Sequence, residues 1–150
     1  MELQIVNLET AILAKQVGFD WECYYAYDQD NKTIEEKPME LNFAPTYINE
    51  PKFTTEEINN ATQNGYITFL APEQDLLRKY ISDLHDLYIQ LRPIHKFGTV
   101  HYDYIIIDLQ SLLKIVNAGD FASYEEGLEA GLTRCLNIII DKQNKNVTST

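Results

Sequence analysis

Apolar residues in this chain recur at helical spacing in some stretches and alternate with polar ones in others. Leu8, Ala11 and Ile12 follow the helical period, and Lys15 extends their stripe through its stem. Asn7 precedes them as an N-cap, Glu9 suits the first turn, and Gly18 suits a left-handed stop with Phe19 packing back. The spacing predicts a helix over 8–17. From Trp21 to Tyr27 the pattern changes to alternation, with Trp21, Cys23, Tyr25 and Tyr27 on one face of a strand. Asp28 to Lys32 is turn chemistry, and a second strand near Thr33 to Glu36 would close a hairpin. Residues 37–53 carry Pro38, Pro45 and Pro51 without a clear period and read as a long loop.

The second half is better marked. Thr54 and Glu57 form a capping box for a short helix through Ile58 and Ala61, ended by Asn64-Gly65. Tyr66 to Leu70 suits a short strand. Pro72 suits the first turn of a helix over 72–86, whose stripe is Leu76, Leu77, Tyr80, Ile81 and Leu84. Leu87, Ile89 and Leu91 alternate with polar residues in a strand that Pro93 should end. A turn over Ile94 to Gly98 leads to a strand from Thr99 to Ile107, and strands joined so closely should pair antiparallel. Residues 109–117 read as a helical turn capped by Asp108, ending near Asn117 and Gly119. Ser123 and Glu126 form another capping box, opening a helix with Leu128, Leu132, Cys135, Leu136 and Ile139 on one stripe. Gly127 and Gly131 weaken that helix, and a close approach to a sheet is the gain that would retain them. These elements predict an α+β fold, an antiparallel sheet built from hairpins with helices on one face. A single domain is expected over 1–140, with a polar, frayed tail over 141–150.

A length of 150 residues suffices to bury roughly two thirds of the unfolded surface without a metal or disulfide staple. The longest apolar runs, Ile105 to Ile107 and Leu136 to Ile140 with Asn137 inside it, fall far short of the ~20 residues of a membrane span. The start Met1-Glu2-Leu3-Gln4-Ile5 has no basic stretch and no apolar segment. The expected address is the cytoplasm, of a host cell if the chain is viral, with virion association compatible and no membrane partner. Cys23 and Cys135 are far apart and suit two free thiols in a reducing compartment.

Net charge is −11. Residues 20–60 hold ten acids against three lysines, a local charge of −7. Such a surface repels phosphate, so direct nucleic-acid binding is not expected. Acids spaced like phosphates could instead mimic nucleic acid toward a host defence or regulatory protein, although solubility alone explains an acidic surface.

Three segments carry a resemblance. They are Leu8-Glu9-Thr10-Ala11 through Gly18-Phe19-Asp20-Trp21-Glu22-Cys23-Tyr24, the helix start Ala71-Pro72-Glu73-Gln74-Asp75-Leu76-Leu77-Arg78-Lys79-Tyr80, and Ser123-Tyr124-Glu125-Glu126-Gly127-Leu128-Glu129-Ala130-Gly131-Leu132. Together they resemble an uncharacterised family of small proteins of bacteriophages and prophages of gut bacteria. The matches cover about a third of the chain, in the family's order. Glu73 after Pro72, Gly127 in the last helix and the long 37–65 region depart from its pattern. The resemblance implies a phage or mobile-element origin and brings no catalytic residues.

Candidate chemistry is sparse. His95 and His101, with Asp103 and His85, are the best metal-ligand grouping, but their spacing lacks the tight repetition of real sites. Surface or half-buried histidines at strand ends account for them. Cys23 with one of these histidines could form a thiol nucleophile pair, against which stands a buried, inert thiol. The acid pairs Glu35-Glu36, Glu56-Glu57 and Glu125-Glu126 lack the burial that raises a catalytic carboxyl, and Glu57 and Glu126 already serve as caps. No cofactor, metal or catalytic residue is assigned. The ten tyrosines are the compositional oddity. Half-buried strands favour Tyr, yet some must reach an outer sheet face, where Tyr suits an interface. Tyr24, Tyr88, Tyr102 and Tyr104, with Glu35 and Glu36, are the candidate partner-binding residues. The expected function is a non-enzymatic accessory protein that binds a protein partner or itself. The alternatives are the acidic mimic and a small enzyme using Cys23 or His95 and His101.

Overall fold

The computed structural model describes residues 4–21, 23, 25–28, 46–47 and 68–148. The chain divides into two compact units, Met1–Glu73 and Gln74–Thr150. Among the described residues no helix is long and apolar enough to cross a membrane.

The first unit opens with helix α1 (Leu8–Val17). Its ends follow from local chemistry. The Asn7 side chain accepts a hydrogen bond from the Thr10 amide at 2.9 Å. At the other end the amides of Gly18 and Phe19 donate to Lys15 and Ala14 carbonyls at 3.1 and 2.9 Å, with Gly18 at φ 95°. Strand β1 (Tyr25–Asp28) pairs antiparallel with β2 (Thr46–Tyr47) and β3 (Thr68–Leu70), in the order β2-β1-β3. Helix α1 packs on β3, with the Lys15 ammonium 5.0 Å from the centre of the Phe69 ring. Burial pushes the Lys15 pKa down. The Tyr27 hydroxyl donates to the Val6 carbonyl at 2.8 Å, so a buried phenol is satisfied. The expected strand at 33–36 and helix at 54–61 lie outside the described residues, as does nearly all of the expected loop. Within that loop, 46–47 pair as β2.

The second unit contains α2 (Gln74–His85), β4 (Leu87–Lys96), β5 (Thr99–Asp108), β6 (Leu113–Phe121) and α3 (Tyr124–Thr148). Its strands form an antiparallel sheet in the order β4-β5-β6. Helix α3 packs on all three strands, and α2 packs on β4 and α3, giving the expected α+β arrangement. The α3 stripe of Leu128, Leu132, Cys135, Leu136 and Ile139 is buried, as are Leu77, Tyr80 and Ile81 of α2. Gln74 ties the helices together. Its amide nitrogen donates to the Glu125 carbonyl and to a Glu129 carboxylate oxygen, each at 3.0 Å.

Four expectations change here. Pro93 does not end β4, which continues to Lys96 because it is an edge strand, where a missing N–H costs no ladder bond. The β4–β5 turn shrinks to Phe97-Gly98, both at positive φ (52° and 79°), the backbone of a tight twisted hairpin. Residues 113–117 belong to strand β6, not to a helical turn. Asp108 does cap, but it closes a turn: its side chain accepts from the Gln110 amide at 3.0 Å and its carbonyl from the Leu112 amide at 2.7 Å. Ile115 and Val116 then follow their β preference. Finally, α3 runs on through Thr148, past the expected helix end near 140.

Candidate functional site

Register sorts the side chains of the second sheet by face. Ile89 stands opposite Ile106, Leu91 opposite Tyr104 and Pro93 opposite Tyr102. This set lies under α3. A Cβ on Gly131 would come 2.9 Å from Ile89 Cγ2 and 3.3 Å from Tyr104, and one on Gly127 would come 2.7 Å from Leu91 Cδ1 and 3.6 Å from Tyr102. The two glycines therefore do bring the helix close to the sheet. The intervening residues make the other face, in rows across the strands. Tyr88 stands with Ile107 and Lys114, Gln90 with Ile105 and Asn117, Arg92 with Asp103 and Gly119, and Ile94 with His101.

The charged rows of this face are paired internally. Arg92 donates twice to Asp103, Nε to Oδ1 at 3.0 Å and Nη2 to Oδ2 at 2.6 Å. Those hydrogen bonds hold the nearly buried Asp103 carboxyl below the usual carboxylate range. Gly119 lies against Asp103 so closely that a Cβ there would overlap the Asp103 backbone. Lys96 Nζ donates to Asp120 Oδ2 at 2.8 Å, which lowers the Asp120 pKa. His101 Nδ1 comes within 2.7 Å of Asp120 Oδ1 and adds to the lowering of the Asp120 pKa. Asp120 sits at φ 102° where the register of β6 shifts, a backbone state that side chains rarely adopt. A groove of about 410 Å³ runs between Ile94, Lys96, His101 and residues 117–120. Its lining carries no hydroxyl or thiol nucleophile, and its cations already face carboxylates.

The other notable feature is apolar. The Leu109 amide donates to the Asp86 carbonyl at 2.8 Å, drawing the β5–β6 turn onto the corner between α2 and β4. Leu84, Tyr88, Leu112, Leu113 and Ile115 meet the solvent around that corner, Leu112 at 75% and Leu113 at 65% exposure. At the opposite end Phe97 is 94% exposed on its tight turn.

The candidate residues fare differently. Tyr88 is exposed on the outer face, as expected. Tyr102 is half-buried on the helix side, its ring edge-on to Tyr124 at 5.9 Å. Tyr104 is corrected: it is a core residue, 6% exposed and stacked on Phe121, because its parity points it at α3. Tyr24, Glu35 and Glu36 lie outside the described residues, as do most acids of 20–60. The histidine pair is also corrected. His95 stands opposite Val100 and His101 opposite Ile94, so the two rings belong to opposite faces of the hairpin and cannot share a metal. His85 packs its ring on Tyr80 at 5.6 Å, and burial lowers its pKa. Cys23 is buried and its thiol is pushed up to about 12, first by burial and then by Glu73, so it lacks the thiolate a nucleophile needs. Cys135 is likewise buried and pushed up to about 12.

Sequence reasoning missed the apolar corner. The signal was Leu112-Leu113 beside Ile115, obscured by reading that stretch as a helical turn. No known protein family, curated protein or solved structure matches the chain.

Proposed function

We propose that this is a non-enzymatic accessory protein of a phage or mobile element that works by binding protein, and that the second unit carries the binding surface. The origin rests on the three helix motifs of the sequence. The observation that supports binding is the apolar corner of Leu84, Tyr88, Leu112, Leu113 and Ile115. Large apolar side chains left in water near one corner of a sheet offer area to a partner, whose burial is favourable at about 25 cal/mol per Å². Leu112 is held at φ 60° by the turn that Asp108 closes, so the fold keeps its side chain outward at some backbone cost.

The test compares tagged wild-type protein with a Leu112→Asp/Leu113→Asp variant in capture from host and infected-cell lysates. Both side chains are exposed, so the variant is expected to keep its circular dichroism spectrum. A protein recovered with wild type and lost with the variant supports the reading. Identical recoveries from both, or nothing recovered by either, would count against it.

A further inference from the structure

The edges of the second sheet differ in a way that names one partner. Edge strand β4 carries Pro93 at mid-length, a residue that blunts strand addition. Edge strand β6 has no proline over its nine residues and is exposed along most of its length. Its backbone groups facing away from β5 meet no further strand among the described residues. We propose that β6 pairs antiparallel with β6 of a second copy of this chain, about a two-fold axis at Asn117, to make one six-stranded sheet. This deepens the protein-binding reading and rests on it.

The register follows from the side chains. Two copies joined with their helices on the same side must place residues of equal parity opposite each other, so the axis falls on a residue. With the axis at Asn117, Lys114 stands opposite Asp120 of the second copy, and Asp120 opposite its Lys114. Leu113 then stands opposite Phe121 of the second copy. Both belong to the helix-side parity set of β6, and Leu113 is 65% exposed in the single chain. Moving the axis one residue toward the N-terminus sets Lys114 against Ala118 and Leu113 against Gly119. Moving it one residue the other way sets them against Ala122 and Ser123. Charge match and apolar match therefore coincide in one register. Lys114 makes no salt bridge among the described residues, its charge acting on Asp103 without direct contact, while Asp120 would share its carboxylate between Lys96 and the second copy's Lys114. The register shifts beside Ile115 and Asp120 confine regular pairing to residues 116–119, which makes the association weak and the charge pairs decisive.

The experiment is sedimentation equilibrium of the full chain up to about 1 mM, the weak end of measurable specific association. Wild type is expected to populate a species of twice the chain mass. Lys114→Glu and Asp120→Lys each set like charges opposite at both ends, and each is expected to weaken the dimer about tenfold. Mixing the two variants restores opposite charges at both ends and is expected to return the dimer as a heterodimer. Asp120 also holds Lys96 and His101, so Lys114→Glu carries the test should Asp120→Lys disturb folding. A monomer at every concentration, a dimer indifferent to Lys114→Glu, or folded variants that fail to recover on mixing would overturn the pairing. A monomer that still captures a protein through Leu112 and Leu113 would overturn self-pairing alone and leave the binding reading standing.

Discussion

Gly127 and Gly131 face the sheet one turn apart on α3, yet the residues beneath them differ in freedom. A methyl group added at Gly131 would press on Ile89 Cγ2, a branch fixed in a buried strand, and on the Tyr104 ring. Overpacking of this kind costs about 1–3 kcal/mol, against about 1 kcal/mol gained in helix propensity. Gly131→Ala is therefore expected to destabilise the protein by about 1 kcal/mol in urea denaturation. A methyl group added at Gly127 meets the far end of the half-buried Leu91, which can rotate away. Gly127→Ala is expected to be neutral within about 0.5 kcal/mol. Equal losses from both would show that the helix cannot be positioned as described. The sequence made the approach of these glycines legible, because a helix interior otherwise disfavours Gly. It did not distinguish the two, because the residue beneath each is set by register.

Arg92 and Asp103 are the other contact to be tested at this scale. The pair holds the folded Asp103 carboxyl below its ordinary value, so its stabilisation is full above the unfolded value of about 3.9. It is lost as pH falls through the lower folded value. The stability difference between wild type and Asp103→Asn should stay constant from pH 7 to about pH 5 and shrink below about pH 4. A difference that grows on acidification would contradict the pairing. Nothing in the spacing of Arg92 and Asp103 announced it, since the partners meet only through the β4–β5 register.

Among the elements, α1 was the most legible, and its boundaries are local. Asn7 and Gly18 satisfy backbone groups within a few residues of themselves. Replacing Asn7 by Ala is expected to cost about 1 kcal/mol, while Asn7→Asp stays within a few tenths. Hydrogen exchange at the Thr10 amide would follow the same order. Strand β6 was the least legible, for a related reason. Asp108 offers the same oxygens to a helix start or to a turn, and a few hydrogen-bonding residues do not decide between them. Pairing with β5 decides it, by supplying partners to Leu113 through Phe121 that a short isolated helix would lack. Pro93 was misread in the same sense. Its effect depends on whether its strand is central or at the edge, and that is a property of the sheet.

For the whole molecule, the division into two units follows strand pairing. β1 joins β2 and β3 within the first, and β5 joins β4 and β6 within the second. The acidic segment that dominates the charge pattern contributes little to the described residues. The surface that supports a function is instead the apolar corner and open edge of the second unit. By itself the sequence determined helices α1, α2 and α3 to within a few residues at most of their ends, the Asn7 and Ser123 caps, the buried stripe of α3 and the α+β class, because period and capping act over a few residues. The tertiary structure alone decided which strand is an edge, that Tyr104 is core while Tyr88 is exposed, that His95 and His101 face apart, and that Leu112 and Leu113 remain in water. Each of these depends on which strands pair and in what register. A one-residue change of register reverses the face of every side chain, and no local pattern records it.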